Sequence, residues 1–291
     1  MRIAHIIMAH KNPPQLLRLI ERLQHPNFDI FIHIDKKVPL DNFFLLKEKT
    51  NITFIKNRVE CNWGGNNFFK AIISSVNEVI HLQKNYAFVS LLSGQDYPIT
   101  TAENIYNYFL QNSNKNFISY DPSRQSNWWK GAVNRYEKYH FTDVHFKWKY
   151  VLQTIVNIVL PRRKFPYSFK LFGGRNASWW TITGDCAKYL VDELMHDKKL
   201  WDFLKYSWCT DEFMVCSIIM NSKFRHDTVN NNLRYIDWSE GNARPKLLGM
   251  ADFDHIKQSG MLFARKFDQD IESQILDKID RDCSLLSSNL A

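Results

Sequence analysis

The chain has 291 residues, 45% of them hydrophobic, which makes it too long for a minimal domain and too short for two large ones. A net charge of +8 points to an anionic partner such as a nucleotide, a nucleic acid or an acidic membrane surface. Five scattered cysteines (Cys61, Cys186, Cys209, Cys216 and Cys283) form no CxxC and no metal-finger spacing, a pattern that suits free thiols in a reducing compartment.

Ile3 to Met8 is a short apolar run of the kind found in central parallel strands. His10-Lys11-Asn12-Pro13-Pro14 reads as a turn, and Leu16, Leu17, Ile20 and Leu23 give a helical stripe. A second strand, Asp29 to Ile34, ends on Asp35-Lys36-Lys37. This is a βαβ unit with polar residues at both strand ends, the place where open α/β sheets bind ligands. No GxGxxG follows, so a dinucleotide-binding fingerprint is absent. Asn51 to Ile55 is a third strand, and Cys61-Asn62-Trp63-Gly64-Gly65-Asn66 is a glycine turn before a helix from about Phe68 to Leu82. Tyr86 to Leu92 reads as a buried fourth strand ending in Ser93-Gly94-Gln95-Asp96-Tyr97-Pro98-Ile99. Asp96 there marks either a sugar- or ribose-binding edge or a structural turn.

A helix over Thr101 to Leu110 and a strand over Asn116 to Tyr120 follow. From about 121 to 170 the character changes. Trp128-Trp129-Lys130, Arg135-Tyr136, Lys138-Tyr139 and Lys147-Trp148-Lys149-Tyr150 interleave bases with aromatics, and an apolar run, Val151 to Leu160, leads to Pro161-Arg162-Arg163-Lys164. Such an insertion suits a lid, an acceptor platform, a membrane-facing segment, a single-stranded nucleic acid site or a solvated helical excursion. The glycine loop Gly173-Gly174-Arg175 feeds a strand with the pair Trp179-Trp180, and Asp185 to Leu194 is helical. A helix opens at Thr210-Asp211-Glu212 and ends near Asn221. Leu233 to Trp238 is a late strand, Glu240 to Lys246 a basic loop, Asp252 to Ser259 a helix, Leu262 to Asp268 a short element and Ile271 to Ile279 a closing helix. No repeat or linker interrupts the chain, so residues 1–291 are read as a single α/β domain. No apolar run reaches 18 residues, and a cytoplasmic protein that touches a membrane at most is expected.

Two clusters carry chemistry. Thr210 suits an N-cap, and Asp211 and Glu212 would fall in the first helical turn, where the dipole favours negative charge. Glu212 is then either a dipole-matched helix start or a general base at the mouth of a pocket. Arg265 and Lys266 lie between Phe263 and Phe267, whose rings should point inward and project a base into a cleft. Two cations held there can neutralise a diphosphate leaving group; the bland alternative is a pair of surface bases beside Asp268. GxSxG, HExxH and an Asp-x-Asp pair on an apolar strand are all missing. A nucleotide-sugar enzyme on this chain would therefore run without metal.

The chain resembles the core-2/I-branching glycosyltransferase family, which includes β-1,6-N-acetylglucosaminyltransferases and peptide xylosyltransferases. The resemblance rests on Ala9-His10-Lys11, Ile32-His33-Ile34-Asp35, Trp63-Gly64-Gly65, Leu92 to Ile99, Ser178-Trp179-Trp180-Thr181, Asp211-Glu212, Asn221-Ser222, Tyr235-Ile236-Asp237-Trp238 and Leu262 to Asp268. It implies a GT-A-type fold, a Rossmann-like mixed but mainly parallel sheet flanked by helices. It also implies metal-independent use of a UDP-sugar, without a cofactor, and inversion at the anomeric carbon. By position, Glu212 matches the catalytic base, His10 and Asp35 the uridine contacts, and Lys266 with Arg265 the diphosphate-binding bases. The family's other phosphate-binding arginine falls at Arg244 or Lys246. Trp238 and Glu240 match the acceptor side, where Asp96, Trp179 and Trp180 are also placed. The signal anchor, stem and disulfide set of the animal members are missing, which suits a bacterial version at the inner face of a membrane. The donor would carry N-acetylglucosamine or xylose, and the acceptor would be a glycan or a lipid-linked oligosaccharide rather than a nucleic acid. Two other classes stay open: a basic, aromatic-rich binding protein for nucleic acid or anionic polysaccharide, and a glycosidase pairing Glu212 with a carboxylate such as Asp96.

Overall fold

The structure is a computed structural model describing residues 1–46, 52–82 and 84–288, with side chains through Cys283. It opens with β1 (Ile3–Ala9), α1 (Pro13–Arg22), β2 (Phe28–Ile34), β3 (Ile52–Phe54), α2 (Asn66–Ile80), β4 (Phe88–Ser93) and β5 (Asp96–Pro98). Next come α3 (Ala102–Gln111), β6 (Asn116–Ile118), α4 (Asn127–Glu137), α5 (Lys149–Val159), β7 (Trp180–Thr183), α6 (Gly184–Met195) and α7 (Lys198–Leu204). The chain ends with α8 (Met214–Met220), β8 (Thr228–Val229), β9 (Arg234–Ile236), α9 (Phe253–Gln258), β10 (Phe263–Arg265) and α10 (Gln274–Ser288).

Seven strands form one sheet in the order β3-β2-β1-β4-β7-β6-β8. The pairs β1–β2, β1–β4, β2–β3 and β6–β8 are parallel; β7 alone runs against its neighbours. All seven residues of β1 are buried, as expected of a strand covered on both faces. One apolar cluster joins Ala4, Ile6, Met8, Leu91 and Ile182 to α2, α6 and α8. The other joins Ile3, Ile7, Ile32, Phe88 and Leu92 to α1, α3 and α10. The predicted strands and helices are found within a few residues, although Asn51 of the third strand lies outside the described residues. Four elements were not foreseen: α4, α7, β8, and β5, which pairs antiparallel with β10 to give a small sheet β5-β10-β9.

That small sheet is fixed by one carboxylate. Asp96, fully buried, lies between Arg234 Nε at 3.6 Å and Arg265 Nε at 3.4 Å, and accepts the Ser93 amide at 3.1 Å. Arg234 in turn donates to the Leu91 carbonyl of β4 at 2.6 Å. Gln15 on α1 adds a second tie. Its amide donates to the Gly94 and Phe267 carbonyls, at 3.1 and 3.2 Å, and its oxygen accepts Gln269 N at 2.8 Å. The segment after β10 is thereby locked to the C-terminal end of β4. Removing one partner of a buried ion pair leaves a charge without compensation, which costs about 3–5 kcal/mol. Asp96→Asn is therefore expected to lower the unfolding free energy by about that amount in urea denaturation, and a variant as stable as the parent would contradict this reading.

Candidate active site

The C-terminal ends of β1, β2 and β4 open into a cavity of about 460 Å³. Register explains the convergence: Ala9 pairs with Ile34 and Met8 with Ser93, so His10, Asp35 and the Ser93–Gln95 turn leave the sheet at one level. His10, Asp35, Ser93 and Gln95 all line the cavity. So do Trp179, Asp211, Glu212, Trp238, Arg244, Arg265 and Lys266. Residues far apart in sequence are thus gathered in one place, with Glu212 and Lys266 sharing the same space.

Glu212 does not sit in the first turn of a long helix, as its sequence suggested. Thr210–Glu212 forms a separate 3-10 turn, preceded by Cys209 in the left-handed region at φ 48°, and α8 begins only at Met214. Phe213 makes the break. Its ring is buried near Tyr136, and its backbone (φ −140°) is not helical. Nor does Thr210 cap: its hydroxyl is buried without a hydrogen-bond partner among the described residues. The glycine turns hold this knuckle in place. Cys209 N donates to the Gly64 carbonyl at 2.8 Å, and Gly174 N to the Glu212 carbonyl at 3.1 Å. A Cβ on Gly173 would come within 2.6 Å of the Glu212 carbonyl oxygen, so the loop approaches this closely only with glycine there.

The Glu212 carboxylate meets two groups from α4. Trp128 Nε1 donates to Oε2 at 3.0 Å, and Arg135 Nη1 pairs with the same oxygen at 2.8 Å. The Arg135 guanidinium also lies over the Trp208 ring, 4.7 Å from its centroid. Burial pushes the Glu212 carboxyl up to about 7; Arg135 opposes the shift and neighbouring Asp211 reinforces it. Burial likewise raises Asp211, against a hydrogen bond from Ser178. Neither Trp128 nor Arg135 was singled out for the site from sequence. The usable signal was their spacing of seven residues, which puts both on one face of a helix.

The opposite wall is cationic. Arg265 is buried, its guanidinium 4.5 Å from the Trp179 centroid, and its Nη1 has no hydrogen-bond partner among the described residues. Lys266 is half-buried, and no carboxylate among the described residues lies within ion-pair distance of its amine. Burial and the nearby cations Arg265, Lys11 and Arg244 all push its pKa down. Lys11 is paired with Asp268 and Arg265 with Asp96, which leaves Lys266 and Arg244 without an ion-pair partner among the described residues, as an anion site requires. Phe263 and Phe267 are both fully buried, as their pattern predicted. Among the described residues no three His, Cys, Asp or Glu side chains gather as a metal-ligand set.

Four of the expected site residues lie elsewhere. Trp180 is fully buried in the core, because its place at the start of β7 sets it in the apolar cluster, and only its neighbour Trp179 reaches the cavity. Asp96 is the buried counter-ion described above and does not line the cavity, so it cannot flank a bond as a second carboxylate beside Glu212. Lys246 donates to Asp252 at 2.7 Å and is absent from the cavity wall, leaving Arg244 as the base that reaches it. Glu240 is exposed, accepts from Asn242 at 3.1 Å and borders only an adjoining depression that includes Arg244 and Lys266. Trp238 does line the cavity, its indole anchored on Asn176 Oδ1 at 2.8 Å.

A family model described as Core-2/I-Branching enzyme matches residues 3–259. A xylosyltransferase of Ciona intestinalis is 24% identical over 96% of this chain and 34% of its own length. Xylosyltransferase 2 of Canis lupus familiaris is also 24% identical, over 96% of this chain and 33% of its own length. The chain thus spans about a third of the length of the curated relatives it matches. Among solved structures, apo mouse xyloside xylosyltransferase 1 aligns over 90% of this chain and 97% of its own, with a TM-score of 0.40 and 8% identity.

The electrostatics of the knuckle can be tested on the protein alone. In a carbon-detected NMR titration the Glu212 carboxyl is expected to titrate near 7. Because Arg135 favours the charged form, Arg135→Gln should move that midpoint to higher pH. A midpoint in the ordinary glutamate range, about 4.3, would contradict the environment described.

Proposed function

We propose a reaction for this site on one premise: the chain belongs to the Core-2/I-Branching enzyme family, a family of glycosyltransferases. The chain moves one sugar from a UDP-sugar to a hydroxyl of a glycan or glycoconjugate acceptor, with inversion and without a metal ion. The observation that carries the reading is the meeting, in one cavity, of a carboxylate with a raised pKa and two cations, Lys266 and Arg244, that have no acid within ion-pair distance among the described residues.

Glu212 takes the proton of the acceptor hydroxyl. Trp128 and Arg135 hold Oε2, and the proposal gives the proton to the other oxygen. The acceptor oxygen forms a bond to the anomeric carbon as the bond from that carbon to the β-phosphate oxygen breaks on the opposite face. The electron pair leaves with UDP, so an α-linked donor gives a β-linked product. Negative charge grows on the diphosphate, and Lys266 and Arg244, which line the cavity, neutralise it directly while the buried Arg265 beside them adds its charge at longer range. These fixed cations do the work that a divalent ion does in other sites. His10 and Asp35, at the ends of β1 and β2, take the uridine side. Trp179 and Trp238 offer apolar faces to sugar rings.

Xylose is favoured as the transferred sugar because the two relatives described above are xylosyltransferases, and N-acetylglucosamine is the second candidate. A binding protein without catalysis is the weaker reading. In the basic, aromatic segment, Trp128 and Arg135 are committed to Glu212 rather than to an open groove.

The reading predicts that Glu212→Gln abolishes transfer from the UDP-sugar while UDP still binds, followed by product formation and by calorimetry. The substitution keeps size and hydrogen bonding but removes the base. Turnover at the parental rate would remove Glu212 from the role.

A further inference from the structure

The helix α5 is inverted relative to an ordinary surface helix. Its polar side faces the protein: Gln153 Oε1 accepts from Phe141 N at 2.8 Å, and Asn157 Oδ1 accepts from Tyr139 N at 2.8 Å. Asn157 Nδ2 donates back to the Tyr139 carbonyl at 2.8 Å, and Lys149 Nζ to the Thr142 carbonyl at 2.7 Å. Its apolar side faces water. Val151, Leu152, Ile155, Ile158 and Val159 recur at helical spacing, Ile158 is 78% exposed and Val159 71%, and no residue of the helix is buried. Trp148 and Tyr150 stand exposed at the helix start.

We propose that this face docks on a lipid bilayer rich in anionic headgroups. From Val144 to Lys164 the chain holds no Asp or Glu, while Lys147 and Lys149 flank one end of the apolar stripe and Arg162, Arg163 and Lys164 follow the other. Nearby acids are already engaged: Asp143 accepts from Asn67 N at 2.8 Å, Glu137 pairs with Arg162 at 2.9 Å and Glu60 faces His145 at 3.6 Å. Arg163 turns inward to the Tyr206 carbonyl at 2.7 Å, which leaves Lys147 and Lys164 as exposed cations beside the stripe. Eleven residues make a helix of about 16 Å, too short for a hydrocarbon core of about 30 Å, so it lies in the plane of the surface. Among the described residues no helix is long and apolar enough to cross a membrane. Indole and phenol groups at the helix start suit the headgroup level.

Charge decides between a bilayer and a second copy of the chain. In a two-fold dimer a patch meets itself, and a patch whose unpaired charges, Lys147 and Lys164, are all positive repels itself. Anionic headgroups complement it. This inference does not depend on the reaction proposed above, since no residue of α5 lines the cavity. The docked face is nonetheless tied to the rim. The Asp143 carboxylate just before it accepts from Asn62, a cavity residue, at 3.2 Å.

Co-sedimentation of the whole chain with vesicles tests the proposal. At low salt the protein should bind vesicles of equal parts phosphatidylcholine and phosphatidylglycerol, but not vesicles of phosphatidylcholine alone. The double variant Ile155→Glu/Ile158→Glu should bind the mixed vesicles at least about tenfold more weakly, while its thermal melting stays that of the parent because both side chains are exposed. Lys147→Glu should weaken binding in the same direction. Failure of the parent to sediment with the mixed vesicles, or undiminished binding by the double variant, would overturn the proposal. So would light scattering that finds a dimer abolished by the double variant without any vesicle binding, which would assign the face to a second copy.

Discussion

A buried carboxylate between two arginines holds the site together. Asp96 faces Arg234 from β9 and Arg265 from β10, and Arg234 reaches back to β4 of the large sheet. A lone buried guanidinium would be costly, and the shared acid is what lets Arg265 stand in the cavity wall at a fixed angle against Trp179. Lys266 is the next residue along, with Phe267 locked to Gln95 and Gln15 on its far side. An amine on a long flexible stem is thus carried by a backbone that cannot drift. Pre-placed positive charge of this kind stabilises charge that develops during a reaction without reorganising at that moment.

The opposite wall obeys the same logic with the signs reversed. Glu212 projects from a tight knuckle that only Gly64 and Gly173 allow to pack so closely. Its carboxylate is shielded enough to be raised toward neutrality, yet Arg135 keeps the ionised form within reach. The segment 121–170 is therefore not one appendage with one task. Its first helix, α4, completes the setting of Glu212, and its second, α5, turns an apolar face outward.

Much of this was legible in the sequence where local pattern decides structure. Mainly apolar runs marked β1, β2 and β4, and polar residues at their ends marked His10 and Asp35 as cavity residues. Buried Phe263 and Phe267 followed from their spacing around Arg265 and Lys266. What escaped was decided by distant partners. The Asp96 turn looks the same in sequence whether its acid meets a ligand or two arginines more than a hundred residues away. Trp179 and Trp180 are adjacent at the start of β7, but Trp180 is buried in the core and only Trp179 reaches the cavity. The break at Phe213 is set by burial of its ring and a left-handed Cys209, neither of which helix propensity registers.

The central claim is that fixed cations, with Lys266 foremost, hold the diphosphate without a metal ion. Calorimetric titration of UDP in the presence of EDTA tests it most directly. The account predicts binding to the parent chain, and an affinity at least about tenfold lower for Lys266→Ala, since a charge-assisted hydrogen bond is worth about 1.5–3 kcal/mol. Binding that appears only when manganese is added, or an affinity untouched by the loss of Lys266, would contradict it.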